Sequence, residues 1–239
     1  MAENEYYSSI KDFQSKLQDY AIHIFKTYGK ALVLRLEEYN LLQNKHNCIE
    51  SSTAIGFILE EFIVAKFEMC THCDDESEYV IDRFVGATTS ESYDFYCEKN
   101  GIRFMVNVKA EKSGSANNAV AAISQLHRNY CEEYPEQRKS YILLKILYSI
   151  GEENEDCVGR RALPRHIHID GLESYCLEEI DFTKGHKQDN RRWSDKANTA
   201  VNGRLMISPK FRETHMVAPE LVSYESTFNM INRIYDGGL

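Results

Sequence analysis

The sequence lacks an apolar run long enough to cross a membrane. No segment approaches the roughly eighteen consecutive apolar residues that a membrane helix needs. The first residues, Met1-Ala2-Glu3-Asn4-Glu5, lack the basic and apolar pattern of a secretory signal. We therefore expect a cytoplasmic protein that neither spans a membrane nor is secreted.

The cysteines lack the pattern of a disulfide framework. There are seven of them, an odd number, scattered along the chain, which is typical of reduced thiols in a cytosol. Cys70 and Cys73 have the spacing of a zinc-binding pair, but no second pair of ligands follows. A structural zinc site is therefore disfavoured.

The chain also lacks an excess of positive charge, since its net charge is −9. This acidity alone argues against binding to nucleic acid, but it is unevenly distributed. Residues 1–100 contain 9 basic and 18 acidic side chains, whereas residues 184–212 contain 8 basic and 2 acidic ones. A basic surface is therefore available in the second half of the chain.

The hydrophobic periodicity predicts an α/β protein. A length of 239 residues fits one domain. The predicted elements are helices over residues 5–47 broken at Gly29, a helix 51–70, a strand 79–85, a hairpin 93–110, a helix 116–133, a buried central strand 140–150, a short strand 166–169, a short helix 172–180, a long polar loop 181–203, an edge strand 205–209 and a closing helix 226–235.

The hairpin carries the most informative residues. Two strand-like runs, Tyr93–Glu98 and Ile102–Ala110, flank the Asn-Gly pair that favours a tight turn. Side chains alternate along a strand, so the second run has an apolar face and a polar face. Its polar face carries Asn107, Lys109 and Glu111, and the first run carries Asp94. Oxygen ligands beside an ammonium group suit a divalent cation that takes part in hydrolysis.

Asp94, then twelve intervening residues, then Asn107-Val108-Lys109 resemble the PD-(D/E)XK nuclease motif, with Asn at the second acidic position. Tyr93 replaces the usual proline. The resemblance implies a restriction-endonuclease-like core, with a central mixed β-sheet flanked by helices. It also implies that Mg²⁺ is bound by Asp94, the Val108 carbonyl and Asn107, and that Lys109 is the catalytic lysine.

The preceding helix supplies a further carboxylate. In this family it commonly carries a glutamate in a G-x-x-x-E arrangement, which this chain matches from Gly56 to Glu60. The resemblance therefore adds Glu60 to the catalytic and metal-binding residues. Glu61 and Glu111 are alternatives for the missing carboxylate. Glu60 is favoured over Glu61, and the sequence leaves open which of the three completes the metal site.

Several polar residues are candidates for binding DNA. Arg191, Arg192 and Trp193 offer forked donors for guanine and an aromatic surface within the long polar loop. Gln125 and Arg128 lie one helical turn apart after the lysine strand. The complete predicted set is Gln125, Arg128, Lys187, Arg191, Arg192, Trp193, Lys196 and Arg204. His166 and His168 lack a third metal ligand, so packing or DNA contact is favoured for them.

These features predict a type II restriction endonuclease that acts as a homodimer on double-stranded DNA in a prokaryotic cytoplasm. Within one nuclease domain, residues 1–47 would form N-terminal helices, 51–150 the catalytic core and 159–212 the DNA-contacting region. Two alternatives remain: a repair or recombination nuclease of the same fold that recognises DNA shape, and a DNA-binding or interaction module without activity.

Overall fold

A computed structural model of the chain describes residues 2–28, 31–34, 52–73, 78–83, 91–114, 119–152, 165–183, 189–190, 203–207 and 209–236. Its helices and strands, in chain order, are α1 (Glu3–Tyr28), β1 (Ala31–Leu34), α2 (Ser52–Cys73), β2 (Asp82–Arg83), β3 (Phe95–Lys99), β4 (Ile102–Lys112), β5 (Ala119–Ala122), α3 (Ile123–His127), β6 (Arg138–Glu152), β7 (Arg165–Cys176), β8 (Asp189–Asn190), β9 (Arg204–Met206), α4 (Pro209–Thr214) and α5 (Tyr224–Tyr235). A π-helical turn, Arg128–Glu132, continues α3.

A six-stranded sheet in the order β1-β7-β6-β4-β3-β2 forms the centre of the fold. It is mixed, because β4 and β6 run parallel whereas the β3–β4 and β6–β7 pairs are antiparallel. Helices α1 and α2 pack on one face of this sheet, and α3 and α5 pack on the other. The predicted fold class, an α/β protein with a central mixed sheet flanked by helices, is confirmed.

The hairpin formed by β3 and β4 follows from local sequence. Asn100 and Gly101 have φ angles of 53° and 75°, the left-handed conformation that a two-residue hairpin turn requires and that Asn and Gly adopt most readily. Lys99 accordingly pairs with Ile102. Along β4, Phe104 packs in the core beneath α1 and α2, whereas Met105 packs in the core beneath α3 and α5. The predicted hairpin is confirmed.

Strand β6 confirms the predicted central strand. Ile142 and Leu144 lie in the core on one face of the sheet, and Tyr141 and Leu143 lie in the core on the other. A strand buried on both faces needs a nearly continuous apolar run, and its sequence provides one. Because β6 pairs in parallel with β4, it fixes the strand that carries Asn107 and Lys109.

Two segments predicted as helical are strands. Residues Ala31–Leu34 pair with Arg165–His168 of β7 instead of extending the N-terminal helix. Residues 172–176 continue β7 alongside β6, where a short helix was predicted. In both cases pairing with a distant strand outweighs the local helical pattern.

The predicted helix 116–133 is wrong over its first part. Ala119–Ala122 forms β5, which pairs with β9 in a small second sheet of order β5-β9-β8. Only Ile123–His127 is α-helical, and the π-helical turn follows it. The predicted strand 79–85 is also shorter than expected, because only Asp82 and Arg83 pair among the residues described there.

None of the cysteine side chains that the structure describes forms a disulfide. Cys70, Cys97, Cys131 and Cys176 are free thiols, as expected of reduced cysteines. No helix in the described ranges is both long enough and apolar enough to span a bilayer.

Candidate active site

The site lies where the edge of β4 becomes open. Strand β3 pairs with β4 only as far as Val106, whose carbonyl accepts a hydrogen bond from the Asp94 N–H at 2.9 Å. Beyond Val106 two carboxylates replace the missing strand. Asp94 Oδ2 accepts the Val108 N–H at 2.6 Å, and Glu60 Oε1 accepts the Ala110 N–H at 2.8 Å.

The Val108 carbonyl lies on the same edge. The N–H and C=O groups of one strand residue point toward the same neighbouring strand, so this carbonyl shares the side on which Asp94 binds the Val108 N–H. On either side of it are the N–H groups of Val108 and Ala110, which donate hydrogen bonds to Asp94 and Glu60. Two carboxylates and one carbonyl therefore bring oxygen atoms together along a short stretch of β4.

Helix α2 delivers Glu60 because it approaches β4 closely. A Cβ atom added to Gly56 would lie 3.6 Å from the Ala110 carbonyl oxygen, so a small residue suits this position. Glu60, one turn further along, reaches the N–H of the same Ala110. The spacing from Gly56 to Glu60 thus places a glycine and a carboxylate against a single residue of β4.

Lys109 completes the cluster. Its ammonium nitrogen lies 3.9 Å from Glu60 Oε2, and both side chains remain about one-fifth exposed to solvent. Asp94, Asn107 and Lys109 line one cleft of about 340 Å³. The structure therefore brings the predicted aspartate and lysine into a common pocket, although Asp94 precedes β3 and Lys109 lies on β4.

The charges at this site suit a cation. Burial raises the pKa of Glu60, and the nearby carboxylates of Asp94 and Glu61 raise that pKa further, while Lys109 and the Ala110 N–H oppose the rise. Two carboxylates held close together are relieved by a hard divalent ion, which prefers oxygen ligands. Within the described ranges no three Asp, Glu, His or Cys side chains group into a metal site. The Val108 carbonyl and water would have to complete the ligand set.

Asn107 is buried in hydrogen bonds at the base of the cleft. Its side-chain nitrogen lies 2.9 Å from the Ser92 carbonyl, 2.7 Å from the Val120 carbonyl and 2.9 Å from the Tyr141 hydroxyl oxygen. Backbone carbonyls only accept hydrogen bonds, so the nitrogen must face them. The side-chain oxygen is then the atom of Asn107 that can face the cleft.

The two alternative carboxylates occupy different surroundings. Glu61 is half-buried on α2 beside Glu60, and its charge contributes to raising the pKa of Glu60. Glu111 lies further along β4 and binds the Lys145 ammonium at 2.9 Å, with both side chains buried. Glu60, by contrast, binds the Ala110 N–H and lies beside the Lys109 ammonium.

The walls of the cleft carry further polar groups. Gln125 of α3 and Arg204 of β9 line it, together with Glu91 and the strand β5. Arg128, predicted with Gln125, instead lies 3.3 Å from a carboxylate oxygen of Glu91 and 3.2 Å from one of Glu133. The other predicted DNA-contacting residues, Lys187, Arg191, Arg192, Trp193 and Lys196, lie outside the described residues.

Sequence reasoning missed the residues that support the cleft. Glu91 and Ser92 lie three and two positions before Asp94, and this proximity is the sequence signal that could have indicated them. Asn129 and Tyr141 reach this region from the π-helical turn and from β6. Their participation depends on strand register and helix geometry, which no local pattern reveals.

The chain matches no protein-family model, and no curated protein is similar to it in sequence. Its fold and site together are those of an α/β protein with a carboxylate and lysine cleft at an open strand edge. Among solved structures, it is similar to NlaIV restriction endonuclease, with a TM-score of 0.41 and 10% identity over 80% of this chain and 77% of that chain. A likeness this slight carries no argument about activity.

Proposed function

We propose that this protein is a Mg²⁺-dependent type II restriction endonuclease, which hydrolyses phosphodiester bonds at a specific sequence of double-stranded DNA. One observation carries the proposal. Asp94 and Glu60 bind successive outward N–H groups on the open edge of β4, and the Lys109 ammonium lies beside them. This is a set of groups suited to hydrolysing a phosphate ester.

Asp94, Glu60 and the Val108 carbonyl are the groups that would hold Mg²⁺, and the Asn107 side-chain oxygen is a neutral candidate beside them. The bound cation would neutralise negative charge on the scissile phosphate. The carboxylates are already fixed by backbone N–H groups. Such preorganisation avoids the free-energy cost of ordering ligands during the reaction.

Lys109 would position the attacking water. Its ammonium group can donate hydrogen bonds to the water and to a phosphate oxygen, which aligns the water with the bond to be broken. The water oxygen forms a bond to phosphorus and releases a proton, while the bond between phosphorus and the 3′ oxygen breaks and that oxygen takes up a proton. The products carry a 5′-phosphate and a 3′-hydroxyl.

The walls of the cleft would bind the substrate. Arg204 is exposed on β9, and Gln125 lines the same cleft as Asp94, so a charged donor and an amide are available for phosphate and base edges. Arg128 and the basic residues of the 184–212 segment would extend this surface. A homodimer would present two such clefts to a symmetric site.

Digestion of DNA tests this function directly. Purified protein is incubated with unmethylated phage DNA in Mg²⁺ or in EDTA, and the products are separated on a gel. Discrete fragments in Mg²⁺ alone are expected. A continuous smear would indicate a nuclease that recognises DNA shape, and binding without cleavage at any protein concentration would indicate a non-catalytic module.

A further inference from the structure

The segment Glu91–Asp94 carries the central carboxylate but belongs to no strand. It consists of bends that lead into β3, so ladder hydrogen bonds hold it only at the Asp94 N–H. A segment of this kind keeps one conformation only where other groups satisfy its backbone. The position of Asp94 therefore depends on what binds the residues just before it.

Side chains bind both backbone groups of Ser92. The Ser92 N–H donates to Asn129 Oδ1 at 2.8 Å. The Ser92 carbonyl accepts from Asn107 Nδ2 at 2.9 Å and from the Tyr141 hydroxyl. These donors and acceptors come from the π-helical turn, β4 and β6, so three separate elements converge on one residue two positions before Asp94.

Asn129 holds the segment through a second residue as well. Its side-chain nitrogen donates to the Glu91 carboxylate and to Glu133 Oε2 at 3.0 Å. Only 1% of Asn129 is exposed, so it is inaccessible to solvent and to substrate. The π-helical turn that carries it is the kind of local irregularity that often accompanies functional sites.

Asn107 also joins the two walls of the cleft. Besides Ser92, it binds the Val120 carbonyl at 2.7 Å, and Val120 belongs to β5, the strand that pairs with the Arg204 strand. One amide nitrogen thus connects the segment bearing Asp94 with the sheet bearing Arg204. All three of its partners are oxygen atoms.

We propose that Asn107, Asn129 and Tyr141 are positioning residues, which hold the Ser92 backbone and thereby fix the Asp94 carboxylate against the Val108 N–H. We call this group of three side chains the Ser92 clamp. The positioning role follows from these hydrogen bonds alone. Only the chemistry assigned to the positioned Asp94 carboxylate rests on the proposed function. The positioning role gives a reason for Asn at position 107, since that place requires a hydrogen-bond donor.

A carboxylate at position 107 lacks that donor. An ionised aspartate would place carboxylate oxygens against the carbonyl oxygens of Ser92 and Val120 and could donate no hydrogen bond to them. The position is also buried, since only 4% of Asn107 is exposed. Unpaired buried charge and acceptor-to-acceptor contacts are both unfavourable. Asn107→Asp would therefore displace Ser92 instead of restoring an acidic metal ligand.

Amide hydrogen exchange tests the clamp without reference to catalysis. The Val108 N–H is bound by Asp94, so its exchange rate reports whether the carboxylate is in place. Tyr141→Phe and Asn129→Ala should each raise the exchange rate of Val108 by about tenfold, as expected for weakening one buried hydrogen bond. Asp94→Ala serves as the positive control, because it removes the acceptor itself.

Thr71→Val is the matched control, since it removes a buried hydroxyl that binds the Ile81 N–H at 3.2 Å, in another part of the fold. It should leave Val108 exchange unchanged even where the melting temperature falls as much as in Tyr141→Phe. Unchanged Val108 exchange in both Tyr141→Phe and Asn129→Ala would overturn the clamp. So would exchange that rises equally in Thr71→Val.

The Mg²⁺ requirement separates the clamp from the proposed function. In Tyr141→Phe the Mg²⁺ concentration that gives half-maximal cleavage should rise by about tenfold, while Thr71→Val matches the wild type. The positioning role would be refuted if the Asn107→Asp variant bound Mg²⁺ more tightly than the wild type while its Val108 N–H remained protected from hydrogen exchange. If the wild type cleaves no DNA but Val108 exchange responds as predicted, the nuclease assignment fails and the clamp stands.

Discussion

The Asp94 carboxylate accepts a hydrogen bond from the Val108 N–H at 2.6 Å. A side chain therefore takes the place that the backbone would have if β3 extended further toward its N-terminus and continued the ladder. This contact directs the carboxylate toward the part of β4 that carries Lys109. The residues that precede Phe95 accordingly do not continue the β3–β4 pairing. The position of the Asp94 carboxylate and the open strand edge are therefore two aspects of one local arrangement.

Glu60→Gln tests whether the helix carboxylate belongs to the metal site. Glutamine retains an oxygen that can accept the Ala110 N–H, so the fold should persist. Loss of the charge should raise the Mg²⁺ concentration for half-maximal cleavage by about 10- to 100-fold. The measurement is a Mg²⁺ titration of initial cleavage rates.

Glu61→Gln is the control for this experiment. Glu61 is adjacent on α2 and also half-buried. Glu60, however, is the residue that accepts a hydrogen bond from the Ala110 N–H and lies beside Lys109, so the titration of Glu61→Gln should match that of the wild type. A Glu61 variant that loses activity while Glu60→Gln retains it would reverse the assignment of these two residues.

The sequence predicted the hairpin and the polar face of β4 because both depend on local chemistry. Asn100 and Gly101 specify the turn, and strict alternation places Asn107 and Lys109 on one face. The mixed sheet was expected from the resemblance to the nuclease family, with which the order of the predicted elements agreed. The Gly56 to Glu60 spacing pointed to the carboxylate that reaches β4.

Features that depend on distant pairing were not predictable in this way. Ala31–Leu34 is a strand only because β7 lies beside it, and Ala119–Ala122 is a strand only because it pairs with β9. The amide of Asn107 was predicted as a metal ligand, but its nitrogen is directed by Ser92 and Val120. Such contacts become visible only after the chain has folded.

Arg204→Ala should weaken DNA binding by removing one phosphate contact. Each such contact releases counterions, so the slope of log binding constant against log salt concentration should decrease by about 1. Fluorescence anisotropy with a labelled duplex in Ca²⁺, at several salt concentrations, measures this slope. Lys26→Ala is the control, because Lys26 is an exposed cation of α1 that neither lines the cleft nor belongs to the 184–212 segment. Equal slopes for Arg204→Ala and the wild type would exclude the phosphate contact.

Glu111→Ala should destabilise the fold more than it affects the metal site. It leaves the buried Lys145 ammonium without the carboxylate that binds it at 2.9 Å, which typically lowers the free energy of unfolding by about 3 to 5 kcal/mol. Urea denaturation measures the loss, and the double variant Glu111→Leu, Lys145→Met should recover most of it. A Glu111 variant of normal stability with a higher Mg²⁺ requirement would instead make Glu111 a metal ligand.

Glu178→Gln should change how stability depends on pH. Burial raises the pKa of Glu178 from 4.5 to about 7, although hydrogen bonds from Tyr130 and the Tyr141 N–H oppose the rise. A raised pKa means that the folded protein binds this proton more tightly than the unfolded chain does. The Glu178 contribution to stability is therefore most favourable below pH 4.5 and is lost as the pH rises to about 7.

Glutamine can retain these hydrogen bonds without acquiring charge. Glu178→Gln should therefore be more stable than the wild type above pH 7, by an amount on the order of 3 kcal/mol, and the difference should shrink toward pH 4.5. Chemical denaturation of both proteins across this range provides the comparison. A stability difference that is independent of pH would show that the carboxyl group does not titrate in this window.

The most direct test of the account is a side-by-side cleavage assay of the wild type, Asp94→Asn and Lys109→Met. Asparagine can still accept the Val108 N–H, and methionine retains most of the length of lysine, so both variants should fold and bind the same DNA in Ca²⁺. We expect Mg²⁺-dependent cleavage by the wild type and a loss of about 10³-fold in the single-turnover rate of each variant. Cleavage at the wild-type rate by either variant would contradict the claim that Asp94 and Lys109 act together on one phosphate.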